Sequence, residues 1–221
     1  MAAAELLAFV DRETRPDANV ATEDRIFGLV EGRRLPEVLR FWKNTECLVK
    51  GRAKSQNYGW YDEELAAKLK VPVVERSTGG GVVYNDLGNL NWSLFLRASG
   101  AAPSPATLFE KASACVVEAL RQGGFDASFS HPNRVDVSGR KVSGMAARST
   151  RTTHLVHGTL LIGTNLERLN SLCVAPRGCP PVSNLKEWLD VGEEALEEAI
   201  IRSLARSKYD VIRVERLEAD G

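Results

Sequence analysis

One stretch of the sequence has the composition of a phosphate-binding turn: Arg76 stands shortly before three consecutive glycines at positions 79–81. Apolar residues at 71–75 and a period-two alternation from Leu90 predict strands on both sides. Three glycines cost backbone entropy and add no packing, which a sheet tolerates where the backbone must approach something closely. Such turns can aim N–H groups at phosphate, and arginine adds a fork of positive charge. From the glycines alone, the alternative is a β-bulge or a flexible turn.

Two further blocks contain residues that could do chemistry. Lys141 is a compact positive charge that can approach both carboxylate and phosphate, and Gly139 and Gly144 beside it let the backbone come close. As one of 29 basic residues it could equally be an ordinary surface lysine. His157 is followed by Gly158 and an apolar strand-like run, so it could be a hydrogen-bonded core histidine or part of a pocket wall.

These blocks resemble the signatures of the lipoate–protein ligase family, in family order and at about family spacing. Residues 75–90 resemble the pattern Arg-Arg-x-Ser/Thr-Gly-Gly-Gly-x-Val-aromatic-His-Asp-x-Gly-x-Leu. Residues 139–148 resemble Gly-Lys/Arg-Lys-x-Ser-Gly-x-Ala-x-Arg, and residues 157–161 resemble His-Gly-Thr-Leu-Leu. Weaker likeness at 39–42, 51–52 and 182–185 extends the resemblance over nearly the whole chain.

The resemblance implies an ATP-dependent ligase that forms lipoyl-adenylate and transfers the lipoyl group to a lysine of an acceptor lipoyl-domain protein. Lipoate would be the substrate and ATP the co-substrate. Mg²⁺ would accompany the triphosphate, held mostly by phosphate oxygens and water, and the sequence contains no evident metal cluster.

Carried over residue by residue, the resemblance also implies site roles. The essential lysine of the family falls on Lys141, the expected catalytic residue. Expected nucleotide contacts are Arg76, Gly79, Gly80, Gly81, Val82, Val83, Tyr84 and Lys141. Expected lipoate contacts are Arg76, Lys141, Gly144, His157 and Gly158.

The sequence departs from the family pattern at several positions. Glu75 stands where many members have the first arginine, and Asn85 where they have histidine. A negative charge beside the phosphate site would weaken ATP binding if the geometry is kept. Arg134 replaces the aspartate that usually follows Asn133. The sequence ends at Gly221 without the small C-terminal domain of many such ligases, which predicts a separate accessory protein or incomplete ligation.

Two other functions fit parts of the sequence. The first is an ATP-independent octanoyl or lipoyl transferase, which would use a cysteine nucleophile. In one transferase group the corresponding position is Ser128 here, and in another Cys173 and Cys179 fall nearby without the Pro-Cys-Gly context. The second is a non-catalytic module that binds lipoyl or nucleotide, which the departures Glu75 and Asn85 favour. A biotin ligase is disfavoured because the Gly-Arg-Gly-Arg-x-Gly loop is absent.

The composition of the sequence argues against several classes of protein. Basic and acidic residues balance at 29 each, which argues against general nucleic-acid binding. No apolar run approaches the ~20 residues of a membrane span, and the start lacks the basic region of a signal peptide. The four cysteines show no Cys-x-x-Cys spacing, so we expect reduced thiols in a cytoplasmic protein.

The order of elements predicts an α+β fold: a mixed, largely antiparallel sheet flanked by helices, the fold of the catalytic domain shared by biotin and lipoate ligases. No linker divides the sequence, so we expect one domain over residues 1–221 without a C-terminal accessory domain. Thr22 predicts a helix start, with Ile26 among the buried residues. Strands at 38–42 and 47–50 are predicted to pair through a turn at 43–45.

The alternation from Leu90 to Arg97 predicts a half-buried strand with Asn91 and Ser93 on its other face. Ser104 and Pro105 predict the start of a long helix. Other expected elements are a strand at 6–10, a turn at 54–58, a helix at 62–69, three or four short strands within 127–162, a short helix from 165, a helix at 193–206 and a strand at 210–218.

Overall fold

The computed structural model describes residues 4–52, 60–98, 103–175, 178–207 and 209–213. A short 3-10 turn spans Leu185–Glu187. In chain order the helices and strands are β1 (Ala4–Val10), α1 (Pro16–Glu31), β2 (Glu37–Trp42), β3 (Cys47–Gly51), α2 (Glu63–Lys68), β4 (Val73–Arg76), β5 (Val82–Asn85), β6 (Asn89–Arg97), α3 (Pro105–Gln122), β7 (Ala127–Ser130), β8 (Arg134–Val137), β9 (Arg140–Ser149), β10 (Thr153–Leu161), α4 (Leu166–Leu172), α5 (Glu193–Ser207) and β11 (Tyr209–Arg213).

The strands form two sheets. The large sheet has eight strands in the order β11-β1-β2-β6-β10-β9-β8-β7, and the small sheet has three in the order β4-β3-β5. The pairs β11–β1, β1–β2 and β3–β4 are parallel, and the other pairs are antiparallel. The predicted α+β class and the mixed, largely antiparallel sheet are therefore confirmed.

Helices cover both faces of the large sheet. On one face α3 and α5 pack over the main core, which includes Leu90, Trp92 and Leu94 of β6. On the other face α1 packs through Phe27 against Phe95 and its neighbours. The small sheet faces the rest of that side, so a space lined by both sheets remains beside α1.

Sequence signals located several elements correctly. Ser104 caps α3 by accepting a hydrogen bond from the backbone of Thr107, and Pro105 opens the helix. Asn165 caps α4 in the same way. The strands at 6–10 and 38–42, the helix at 62–69 and the final helix are each found within a few residues of their predicted bounds.

Two local predictions were wrong. Helix α1 begins at Pro16 and not near Thr22; its buried face carries the polar residues Asn19 and Glu23, which an apolar pattern does not detect. Strands β2 and β3 do not form a hairpin. The side chain of Asn19 donates to the backbone of Lys43 at 2.8 Å and to Asn44 Oδ1 at 2.9 Å, which ties the connection to α1 where the chain passes from one sheet to the other.

The prediction that β6 is half-buried was also wrong, because both of its faces are buried. The polar side, Asn91 and Ser93, is at most 3% exposed. The predicted turn at 54–58 and residues 214–218 of the predicted last strand lie outside the described residues. Within the parts of the chain that the structure describes, no helix is long and apolar enough to span a membrane.

Candidate functional site

A cavity of about 570 Å³ lies between the two sheets. A space of this size suits a small organic ligand. Among the residues with expected roles, Gly79 does not line the cavity. The others line it together: Arg76, Gly80, Gly81, Val82, Val83, Tyr84, Lys141, Gly144, His157 and Gly158.

The glycine turn follows β4 and is held from inside by Arg76. The Arg76 guanidinium donates to the carbonyls of Gly79 and Gly81 at 3.0 and 2.9 Å, and to the carbonyl of Val49 at 2.9 Å. Trp60 packs directly on Gly81, where a Cβ would lie 2.0 Å from the indole ring. The turn therefore needs glycine for a close approach, and Arg76 presents its charge from within the turn.

Lys141 lies near the start of β9 and extends over Gly144. A Cβ on Gly144 would lie 3.2 Å from Lys141 Nζ, so the glycine makes room for the ammonium group. The Lys141 backbone is fixed on both sides, because its N–H donates to Pro181 and its carbonyl accepts from Ser183, each at 3.0 Å. Where the structure describes lysine ion pairs they belong to Lys43 and Lys50, which leaves Lys141 free to meet an anionic ligand.

His157, on β10, has both ring nitrogens engaged within the protein. Its Nδ1 lies 2.9 Å from Glu23 Oε1, and its Nε2 lies 2.8 Å from Thr78 Oγ1. His157 is therefore both a hydrogen-bonded buried histidine and a residue of the cavity wall, which are the two alternatives that the sequence left open. A ligand would therefore meet the face or edge of the ring and not a free nitrogen.

The charges on the described cavity wall are mostly positive. Arg76, Arg134 and Lys141 line it, against the single carboxylate of Glu23. Burial lowers the pKa of Arg76 to about 10, which leaves it positively charged near neutral pH. Burial opposes the charge on Glu23, but His157, the hydrogen bond from Ser93 and the charge of Arg40 together outweigh this and lower the pKa of Glu23. A wall of this kind favours an anion.

Sequence reasoning missed several wall residues. Glu23 and Trp60 lie outside the stretches that resemble the family, and Trp42 lies only in the weaker likeness at 39–42, yet all three line the cavity. Asn91 Nδ2 and Ser143 Oγ line the cavity, are buried, and have no hydrogen-bond partner among the described residues. Buried polar groups normally have a partner, and these two atoms are placed to hydrogen-bond to water or to the polar groups of a ligand in the cavity. The polar face of β6 was the available signal.

Glu75 does not place its negative charge on the cavity wall, contrary to expectation, and its effect on ATP binding stays a prediction. Its side chain is 42% exposed, forms a 3.8 Å ion pair with Lys50 and is not on the cavity wall. The reason is strand alternation: Arg76 faces inward on β4, so its neighbour faces outward. Asn85 does line the cavity, and its amide donates to the carbonyl of Tyr84. Arg134 lines it as well and pairs with Asp136 at 3.1 Å.

The four cysteines are free thiols, as expected. Cys173 and Cys179 line the cavity, and burial raises the pKa of the Cys173 thiol to about 11. A thiol of such high pKa carries little thiolate and is a poor nucleophile near neutral pH.

A second hollow of about 550 Å³ lies outside the cavity, beside Glu46 and Tyr84. Two of its carboxylates already have partners: Glu46 accepts hydrogen bonds from Tyr84 and Arg168, and Asp86 accepts from backbone N–H groups. Asp86 stabilises its own turn, because its Oδ1 accepts from the backbone N–H of Gly88 at 2.9 Å. The charged side chains of Glu46, Asp86 and Arg168 are therefore engaged within the protein.

A model of the lipoyl protein ligase A/B catalytic domain matches residues 15–208 of this chain. Lipoate-protein ligase A of Psychrobacter cryohalolentis is 31% identical to this chain over 203 residues. That match covers 86% of this chain and 57% of the relative, so the chain spans a little more than half the length of that relative.

Solved structures share the fold. One from Thermoplasma acidophilum, described as a bi-partite lipoate protein ligase and its E2 lipoyl domain, has a TM-score of 0.81 at 22% identity, covering 100% of this chain and 89% of that chain. A lipoate-protein ligase A bound with ATP also has a TM-score of 0.81 at 22% identity, covering 99% of this chain and 90% of that chain. At these identities the likeness establishes the fold.

Proposed function

The chain belongs to the lipoyl protein ligase A/B catalytic-domain family, and we propose that its residues 1–221 act as one catalytic domain that activates lipoate with ATP. The lipoyl group is then transferred to a lysine of a lipoyl-domain protein. The observation that carries the proposal is the cavity between the sheets: an apolar wall meets a glycine turn and the unpaired ammonium group of Lys141.

The two halves of the cavity suit the two halves of a lipoyl-adenylate. Trp42, Met145 and Ala146 are apolar wall residues that can contact an acyl chain, beside His157 and Gly158. The glycine turn and β5 offer backbone groups to the nucleotide, with Arg76 behind them. Gly79 acts indirectly in this arrangement, through its carbonyl on Arg76.

Lys141 stands where the two halves meet. In the first step a lipoate carboxylate oxygen attacks the α-phosphorus of ATP, and pyrophosphate leaves. Negative charge accumulates around phosphorus, and Lys141 can stabilise it while also contacting the carboxylate. In the second step the amine of the acceptor lysine attacks the acyl carbon of the adenylate, and AMP leaves.

The segment at 178–182 helps to exclude water from this reaction. Gly178, Cys179 and Val182 line the cavity, and the segment pairs with the Lys141 backbone. An adenylate is hydrolysed by water, so a covered site protects the intermediate.

Mg²⁺ would arrive with the triphosphate and supply charge neutralisation there. The residues that the structure describes contain no group of three or more potential metal ligands. Glu23, the carboxylate on the cavity wall, is already hydrogen-bonded to Ser93 and His157. We therefore assign the ion no protein ligand and derive no step through it.

The direct test mixes the protein with lipoate, ATP and a lipoyl-domain acceptor and follows the intact mass of the acceptor. The expected result is a lipoyl adduct on one lysine that requires ATP, with matching release of pyrophosphate. If the acceptor is modified equally well without ATP, the result would contradict the ligase activity and support the ATP-independent transferase. If the protein binds ligand but forms no adduct on the acceptor, the result would support the non-catalytic binding module instead.

The transferase is kept as the second candidate because Cys173 and Cys179 line the cavity. If the activated species is an adenylate, Cys173→Ser and Cys179→Ser should each retain lipoyl transfer at close to the native rate. The raised pKa of Cys173 supports this expectation. Intact-mass measurement of the protein after incubation with acyl donor checks it. A trapped acyl thioester on either cysteine, together with lost transfer in its serine variant, would contradict the ligase.

We also propose that a separate accessory protein assists the activation step, because the Thermoplasma acidophilum ligase is described as bi-partite. If a second protein assists activation, this chain should lipoylate an acceptor from preformed lipoyl-adenylate much faster than from lipoate and ATP. Parallel rate measurements with the two donors check this. Equal, fast rates would remove the accessory protein from the proposal.

A further inference from the structure

A series of buried hydrogen bonds connects the middle of the large sheet to the glycine turn. Glu23 on α1 contacts His157 on β10, and His157 contacts Thr78 beyond β4. Thr78 Oγ1 in turn accepts from Arg76 Nε at 2.9 Å. All four residues are at most 8% exposed. We call Glu23, His157 and Thr78, with Arg76 at its end, the buried relay.

A consistent set of hydrogen-bond directions runs through the buried relay. A guanidinium group can only donate, so Thr78 Oγ1 accepts from Arg76 Nε. The Thr78 hydroxyl still has its own proton to donate to His157 Nε2, and in that tautomer the proton on Nδ1 is donated to Glu23. The neutral, Nδ1-protonated tautomer of His157 therefore satisfies every member of the series.

The buried relay also connects the buried positive charge of Arg76 to a compensating carboxylate. Arg76 is a buried cation whose described hydrogen bonds go to neutral acceptors, three of them backbone carbonyls. A buried charge without compensation is costly. The opposing charge that acts on Arg76 is that of Glu23, which it reaches through Thr78 and His157.

We propose that Glu23, His157 and Thr78 are positioning residues for the glycine turn: through the buried relay they orient Arg76, which then fixes the carbonyls of Gly79 and Gly81. The α1 side of the large sheet thereby sets the shape of the turn in the small sheet. The nucleotide part of this inference rests on the proposed function, whereas the ordering of the turn does not.

A carboxylate, a histidine and a hydroxyl in series also occur in nucleophilic catalysis. Two observations separate the buried relay from that arrangement. Thr78 is 1% exposed and is absent from the cavity wall, and its oxygen is already occupied by Arg76. No substrate atom can reach it, so the hydroxyl positions and does not attack.

The test measures amide hydrogen exchange by mass spectrometry in the full-length protein without ligand, peptide by peptide. Thr78→Val removes the hydroxyl and keeps the shape, and Thr78→Ser keeps the hydroxyl. Thr153→Val is the matched control, because Thr153 Oγ1 is buried without a hydrogen-bond partner in the described structure. Loss of two buried hydrogen bonds should speed exchange of residues 76–85 by ~10-fold or more in Thr78→Val.

Thr78→Ser and Thr153→Val should exchange at the native rate in residues 76–85. Glu23→Gln keeps size and removes the charge, and should also speed exchange there; it tests the same inference if Thr78→Val does not fold. Native exchange at 76–85 in Thr78→Val and Glu23→Gln would overturn the proposal. Faster exchange spread evenly over the whole chain would overturn it too, because that marks general destabilisation.

A second readout connects the turn to its ligand. Titration with ATP should show an apparent Kd at least ~10-fold weaker in Thr78→Val, with rescue in Thr78→Ser. If the native protein binds no ATP, the proposed function fails while the exchange result still decides the buried relay. Equal weakening in Thr78→Ser would show that the hydroxyl does not position the turn.

Discussion

Lys141→Ala is expected to lower the rate of adenylate formation by ~100-fold or more while the protein remains folded. The large effect follows from position, since the ammonium group extends over Gly144 into the cavity. The small effect on stability follows from the absence of a carboxylate partner in the described structure, so little native-state energy is lost. Pyrophosphate release from lipoate and ATP, with thermal unfolding alongside, measures both.

Two further variants sharpen this prediction. Lys141→Arg keeps the charge but replaces a compact ammonium with a broad planar group; because the space over Gly144 is narrow, adenylate formation should remain strongly impaired. Lys111→Ala on α3 removes an exposed lysine on the other side of the large sheet and should leave the rate native. Pyrophosphate release near the native rate in Lys141→Ala would contradict the assignment of the catalytic lysine.

The sequence identified the functional blocks because their chemistry depends on residue type. The sequence alone identifies Lys141 between two glycines and Arg76 before a glycine run, and both residues line the cavity. The hydrogen-bond partners of these residues within the site could not be predicted from the sequence. Arg76 is predicted from sequence to contact the ligand, yet four protein acceptors surround its guanidinium. Three of these acceptors belong to the turn that follows Arg76, and only the carbonyl of Val49 comes from a distant part of the chain, so they depend on how the turn folds back on the side chain.

Polar burial explains most of what sequence reasoning missed. Asn19 and Glu23 occupy the buried face of α1, so the helix lacks the apolar stripe that marks its first turns. Ser93 is 0% exposed on β6 and donates to Glu23. Period-two alternation predicts a strand, but it cannot distinguish a face turned to water from one turned to a polar interior.

Gly51→Ala is expected to disrupt the glycine turn from the opposite side. Gly51 ends β3, and its N–H donates to the carbonyl of Gly81 at 3.2 Å. A Cβ there would lie 2.4 Å from the carbonyl oxygen of Gly80 and 2.9 Å from that of Gly79. These are backbone atoms, so no change of side-chain rotamer relieves the overlap. The strand and the turn must separate.

The expected cost of Gly51→Ala is ~1–3 kcal/mol of unfolding free energy, as for other overpacked sites, and each kcal/mol should lower Tm by roughly 2–4 °C. ATP affinity should fall more than lipoate affinity, because the displaced carbonyls belong to the turn that Arg76 holds. Calorimetric unfolding and parallel ligand titrations measure the two effects.

The matched control for Gly51→Ala is Gly28→Ala in α1. Apart from the adjacent residues and the backbone of its own helix, no atom lies within 4 Å of the Cβ position of Gly28 in the described structure, and alanine is favoured over glycine inside a helix by roughly 0.5–1 kcal/mol. The same chemical change should therefore raise Tm at position 28 and lower it at position 51. Native Tm and native ATP affinity in Gly51→Ala would mean that β3 does not approach the turn this closely, and the packing that holds the nucleotide end of the cavity would need a different basis.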